Sequence, residues 1–233
     1  MKNFFFTNSL VLLFLCNTTL LLAQKETRNV GSYEGIHIAG HYDVSLFSGS
    51  EGTITLEVDA EDLDQIETYI KNGTLVIKQK KSFWLNNWFS DQVSIQIPVE
   101  EVSKVNLSGS GDIRSNFPLK TDHFKTNISG SGDITLEIEA TSVEGMITGS
   151  GDLQLKVSAE RTEYTVTGSG SIEAQDLKSL RGQAQITGSG DIELHANEGL
   201  EARVNGSGDV RCFGDPERQI TKVTGSGNIT IRN

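Results

Sequence analysis

Thr148-Gly149-Ser150-Gly151-Asp152-Leu153 and Thr167-Gly168-Ser169-Gly170-Ser171-Ile172 are consecutive copies of one motif, and their 19-residue spacing decides the fold. Further copies occupy Gly109–Ile113, Gly130–Ile134, Gly188–Ile192, Gly206–Val210 and Gly225–Ile229, so that seven stand 18 to 21 residues apart. A period near twenty in a polar, β-rich chain marks a solenoid: one unit cannot bury its apolar face alone, and neighbours must stack.

The flanks of each motif alternate with period two. Phe124-x-Thr126-x-Ile128, Val143-x-Gly145-x-Ile147 and Ala202-x-Val204 precede copies; Ile134-x-Leu136-x-Ile138, Leu153-x-Leu155-x-Val157 and Ile192-x-Leu194-x-Ala196 follow them. That alternation predicts strands with one buried face. Each unit therefore reads as strand, Gly-Ser-Gly corner, strand, then a variable polar outer corner such as Glu160-Arg161-Thr162 or Asn197-Glu198-Gly199.

Fourteen of the 24 glycines sit in these corners, where a bend or a close backbone approach requires them. The aspartates after them, Asp112, Asp133, Asp152, Asp191 and Asp209, read as a structural turn ladder whose carboxylates accept backbone N–H groups in Asx-turns. Ser171 and Asn228 stand in the same slot and can do the same. A small polar residue precedes every copy, from Ser108 to Thr224, and stacking would align these into an outward ladder. An antiparallel meander could share the spacing, but an identical corner in every unit is what a coil of constant rise produces. The expected class is all-β, a parallel β-helix.

Residues 24–104 are less regular and suit an N-terminal capping region ahead of the repeats at 105–233. Ile36-His37-Ile38-Ala39-Gly40-His41-Tyr42-Asp43-Val44 is a degenerate copy of Val105–Ile113 and reads as an early coil. Thr53–Val58, Thr74–Lys78 and Val93–Ile97 are strand candidates, and Asn72-Gly73 is a tight hairpin signal. Lys81–Ser90 departs from everything around it. Phe83, Trp84, Trp88 and Phe89 crowd a segment with Asn86-Asn87 at its tip, which suits either a lid on the solenoid's end or a contact for a ligand or partner.

Residues 1–23 read as a cleaved export signal: Lys2, an apolar run from Phe4 to Leu22, and Ala23 before the cut. Removing them takes the formal charge from −11 to −12, because the segment holds one lysine and no acid. An acidic exported chain is a poor ligand for nucleic acid or anionic membrane. One cysteine then remains, Cys212, in a core slot shared with Leu136, Leu155 and Leu194; no internal disulfide is expected. His37, His41, His123 and His195 lack metal-ligand spacing, and no metal or cofactor is expected.

The Asp column also invites chemistry, since carboxylates one coil apart have the separation used in glycoside hydrolysis. Against catalysis, every turn repeats the same part and no turn is marked as different. Calcium binding is the stronger of these two chemical readings, but it borrows from Gly-Asp calcium rolls whose period is nine and not nineteen, and the turn-forming role stands ahead of both.

The repeated corner, the Ile38–Val44 entry, the Asn72-Gly73-Thr74-Leu75 turn and the export signal together resemble the head GIN domain family of auto-transporter adhesins, over about residues 30–232. The resemblance implies a right-handed β-helix similar in shape to pectin lyases, without catalytic residues, in the periplasm or at the surface of a Bacteroidetes-type bacterium. The expected function is a non-enzymatic adhesion or binding module whose partner is a glycan or surface protein. A carbohydrate-active enzyme or polysaccharide-binding protein using the Asp ladder or the Trp84/Trp88 loop is the alternative. The last strand, Ile229-Thr230-Ile231, has only Arg232 as an edge blocker, so weak end-to-end self-association is also expected.

Overall fold

A computed structural model describes residues 24–58, 63–80, 93–174 and 179–232. Within them the chain forms β1 (Gln24–Gly31), β2 (Gly35–Gly40), β3 (Tyr42–Ser48), β4 (Gly52–Val58), β5 (Ile66–Lys71), β6 (Thr74–Gln79), β7 (Val93–Val99) and β8 (Lys104–Gly109). The repeats supply β9 (Asp112–Gly130), β10 (Asp133–Gly149), β11 (Asp152–Gly168), β12 (Ser171–Ala174), β13 (Ser179–Gly188), β14 (Asp191–His195), β15 (Gly199–Gly206), β16 (Asp209–Phe213), β17 (Arg218–Gly225) and β18 (Asn228–Arg232).

The protein is a parallel β-solenoid. Before each corner the ladder runs β6, β2, β8, β9, β10, β11, β13, β15, β17; after it, β7, β3, β9, β10, β11, β12, β14, β16, β18, parallel throughout. Register follows the motif: Gly149 pairs with Gly168, Gly168 with Gly188, and Gly188 with Gly206. Inside, like stacks on like. Ile147, Val166, Ile186 and Val204 form one column, all at most 2% exposed, and Ile134, Leu153, Ile172, Ile192 and Val210 form another at 0%. Burying each such side chain contributes about 1.5–3 kcal/mol. Where Tyr164 enters the interior, neighbouring coils make room with Gly145 and Ala184; a Cβ on Gly145 would sit 3.0 Å from the ring.

The Gly-Ser-Gly corner is where backbones touch. The Gly149 carbonyl accepts hydrogen bonds from both Ser169 N–H (2.9 Å) and Gly170 N–H (3.2 Å) of the next coil. A Cβ on Gly168 or Gly170 would run into the carbonyl oxygen of Gly149 or Gly151 in the coil before. The first glycine of each motif also lies at φ between +124° and +143°, a region closed to most L-residues.

The polar outer corner does not always interrupt the strands. In the early coils the chain stays a strand through it: β10 and β11 pair from Ile134/Leu153 to Gly149/Gly168 with a short gap after Glu139/Ser158. The bend appears as a reset of the inward alternation, which runs 134, 136, 138 and then 143, 145, 147. Hydrogen bonds to the coil on either side make a separate turn unnecessary. Among the described residues, later coils leave the strand at their outer corners, at Asn197 and Glu198 and again at 214–217.

The N-terminal region closes one end. The Ile36–Val44 copy is a solenoid coil, β2 and β3, but its neighbours in space are not its neighbours in sequence. β6 and β7 lie beneath it and β8 and β9 above it. β1, β4 and β5 cover the end by antiparallel pairing with β4, β7 and β6 respectively. Asn72 (φ 50°) and Gly73 (φ 70°) make the tight turn between β5 and β6. Arg28 fixes the cap by donating to the carbonyls of Ile66 (2.6 Å) and Leu63 (2.8 Å). At the other end, β17 and β18 have outer edges that pair with no strand among the described residues, and Ile220 is 60% exposed.

Candidate functional site

Two surfaces combine side-chain chemistry with the coil repeat. The first is the aspartate row beside the Gly-Ser-Gly corner. Asp133 is in register with Asp112, Asp152 with Ser171, Ser171 with Asp191, and Asp209 with Asn228; Asp43 extends the row beneath Asp112. The carboxylates do not close their own turns, as an Asx-turn would. They reach to the next coil: Asp133 Oδ1 accepts from Asp152 N–H (2.9 Å), Asp152 Oδ1 from Ser171 N–H (3.0 Å), Asp191 Oδ1 from Asp209 N–H (2.8 Å) and Asp209 Oδ1 from Asn228 N–H (3.0 Å). The Asx-turn reading is thus corrected by geometry. Parallel stacking places the N–H of the succeeding coil in reach of each carboxylate, and a charged acceptor makes that bond strong. Asp112 instead receives Arg114 Nη2 at 2.8 Å, and Asp133 N–H goes to the Gly111 carbonyl. Among the described residues no group of three or more His, Cys, Asp or Glu side chains is placed to hold a metal ion.

The second surface is a groove of about 1100 Å³ along the outer corner, crossing the coils from His123 to Arg218. Its two walls are columns in strand register. One reads His123, Ser142, Arg161, Arg181, Gly199, Arg218; the other reads Lys125, Glu144, Glu163, Gln183, Glu201, Ile220. The floor is the buried edge of the core, with Val143, Thr162 and Leu200. Ion pairs link successive coils along each wall: Lys125 Nζ to Glu144 at 2.5 Å and Arg181 Nε to Glu198 Oε2 at 3.2 Å. Sequence reading missed this surface. The available signal was the recurrence of arginine at one repeat position in three coils, visible only after the corners are aligned.

Phe83, Trp84, Trp88 and Phe89 lie outside the described residues, in the connection between β6 and β7. Cys212 is fully buried between Leu194 and Ile231 in its column. Burial pushes its thiol up to about 11, so it stays protonated and unreactive at neutral pH.

Similar solved structures include a putative adhesin of Bacteroides fragilis, with TM-score 0.80 and 21% identity, covering 90% of this chain and 96% of its own. A putative lipid binding protein of Parabacteroides distasonis matches with TM-score 0.75 and 22% identity over 91% and 97%. A putative adhesin of Parabacteroides merdae matches with TM-score 0.71 and 21% identity over 91% and 97%. At such identity these likenesses speak for the fold. No curated protein matches the chain. The family profile described as "Putative auto-transporter adhesin, head GIN domain" matches residues 32–216. With the seven stacked corners lying in and just beyond that span, the chain belongs to the head GIN domain family of auto-transporter adhesins.

Proposed function

We propose that the protein is an exported, non-catalytic solenoid that works as an adhesion or binding module at the cell surface or in the periplasm. The observation that carries this reading is the family membership over residues 32–216. The geometry agrees with it. In four coils one oxygen of the row's carboxylate is already taken by a backbone N–H, which suits a structural ladder better than a catalytic pair. The interior is filled with side chains, so a ligand must be met on the outside, where the coils present rigid columns. Residues 1–23 supply the export signal, and the partner is a glycan or a surface protein.

A glycan and surface-protein array probed with the purified protein tests this, alongside a reducing-sugar release assay on the same glycans. Binding without release is the expected result. Release of new reducing ends would make the protein an enzyme, and an array with no binding at all would remove the adhesion reading. The exposed edges of β17 and β18, with Ile220 and Val223 at 60% and 41% exposure, also suit weak end-to-end pairing of two copies. Sedimentation of the wild type and of Thr230→Pro across a wide concentration range tests that; wild-type protein that stays monomeric throughout rules it out.

A further inference from the structure

We propose that the outer-corner groove binds an extended acidic glycan, laid along the solenoid axis, with its carboxylates on the arginine column and its hydroxyls on the glutamate column. This rests on the reading that the protein works by binding, and it names the surface and the ligand class.

Three observations carry it. First, the arginines keep register with the coils. Arg161 pairs with Arg181, Arg181 with Gly199, and Gly199 with Arg218, which puts guanidinium groups one and then two coils apart, with coils about 4.8 Å apart. A sugar ring is of similar length, so a chain running along the axis can present a carboxylate to each guanidinium. Second, these cations are available. The side chains of Arg161 and Arg218 have no hydrogen-bond or ion-pair partner among the described residues, and Arg181 meets Glu198 through Nε alone, leaving its terminal nitrogens for a bidentate contact. The groove is lined by Lys125, Arg161, Arg181 and Arg218 as well as by Glu144, Glu163, Glu198, Glu201 and Glu217, so its positive charge is concentrated on the arginine wall and sets the side on which a ligand's carboxylates must lie. Third, Gly199 is a glycine that the fold does not require. Its φ lies outside the left-handed region that the corner glycines occupy, and a Cβ there would meet only Arg218 O at 3.9 Å and Arg181 Cγ at 4.0 Å. The missing side chain leaves the space between Arg181 and Arg218 in their column open.

The opposite column explains why the ligand is a sugar and not simply an anion. Glu144, Glu163, Gln183 and Glu201 offer acceptors in register, suited to rows of hydroxyl donors. An acidic peptide carries carboxylates but no such hydroxyls.

The test measures affinity of the protein for oligogalacturonate, for a neutral oligosaccharide of equal length and for polyglutamate, at two salt concentrations. Oligogalacturonate should bind best, with affinity falling as salt rises. The double variant Arg161→Gln/Arg218→Gln should weaken it about tenfold or more, and Gly199→Leu should weaken it comparably while leaving the melting temperature unchanged. Equal binding of the neutral sugar, equal binding of polyglutamate, or wild-type affinity in both variants would each overturn the proposal. No binding of any of the three, with a positive array elsewhere, would overturn the groove and leave the adhesion reading standing.

Discussion

Every coil has two corners, and they obey different rules. At the Gly-Ser-Gly corner, successive backbones are in contact: the Gly149 carbonyl serves two N–H groups of the next coil, and both following glycines lack room for a Cβ. At the outer corner the chain only bends, and the side chains there project into solvent or into the groove. The first corner therefore repeats seven times almost without change, while the second carries Arg161, Arg181 and Gly199 in equivalent places. Repetition marks where the fold is held, and variation marks where recognition can be placed.

That contrast can be broken in order of expected effect. Both corners hang on one core, so Ile186→Asp, which puts a charge into the column between Val166 and Val204, should cost about 3–5 kcal/mol or prevent folding. An unchanged thermal midpoint would mean that this column is not the core. Gly168→Ala should come next, at about 2–4 kcal/mol, because it adds backbone strain at φ +127° to a clash with the Gly149 carbonyl. Chemical denaturation measures it, and a loss below a few tenths would show that the corner can relax. Asp152→Ala should be milder, about 1 kcal/mol, since the Ser171 N–H loses an exposed acceptor. Asp152→Asn should keep most of that, because Asn228 already occupies the slot. If Asn and Ala are equally damaging, charge matters more than the hydrogen bond. At the outer corner, Gly199→Ala should leave stability within about 0.5 kcal/mol of wild type. A destabilisation as large as that of Gly168→Ala would erase the distinction between the corners.

The repeated part of this fold was legible because each coil restates it. The alternation before and after the motif located the inward residues, and Ile147, Val166, Ile186 and Val204 are the buried column it implied. Three things were not legible, each for a physical reason. β1 (QKETRNVG) lies at the capped end with much of it wet, so it has no apolar alternation to announce it. The N–H that Asp133, Asp152, Asp191 and Asp209 each accept from lies 18 or 19 residues on, beyond any local turn rule. The groove combines residues that are unremarkable within their own coil and become a column only when coils are stacked. The aromatic segment 81–90 reads as special in sequence, but it falls outside the described residues.

The placement of β2 and β3 has a consequence for how the molecule comes into being. That coil is held between β6 and β7 on one side and β8 and β9 on the other, all of which are synthesised later. The first-made coil therefore cannot be completed until the chain has reached about residue 115, and loop closure over that distance must precede any gain from pairing. Once it is in place, growth changes character. Each further stretch of about nineteen residues finds a finished template directly above the last coil and can add as a subunit adds to a filament. Assembly is thus slow to start and quick to extend, with a direction set by the chain, and a lesion between residues 35 and 110 should cost far more folded protein than an equal lesion in the final coil.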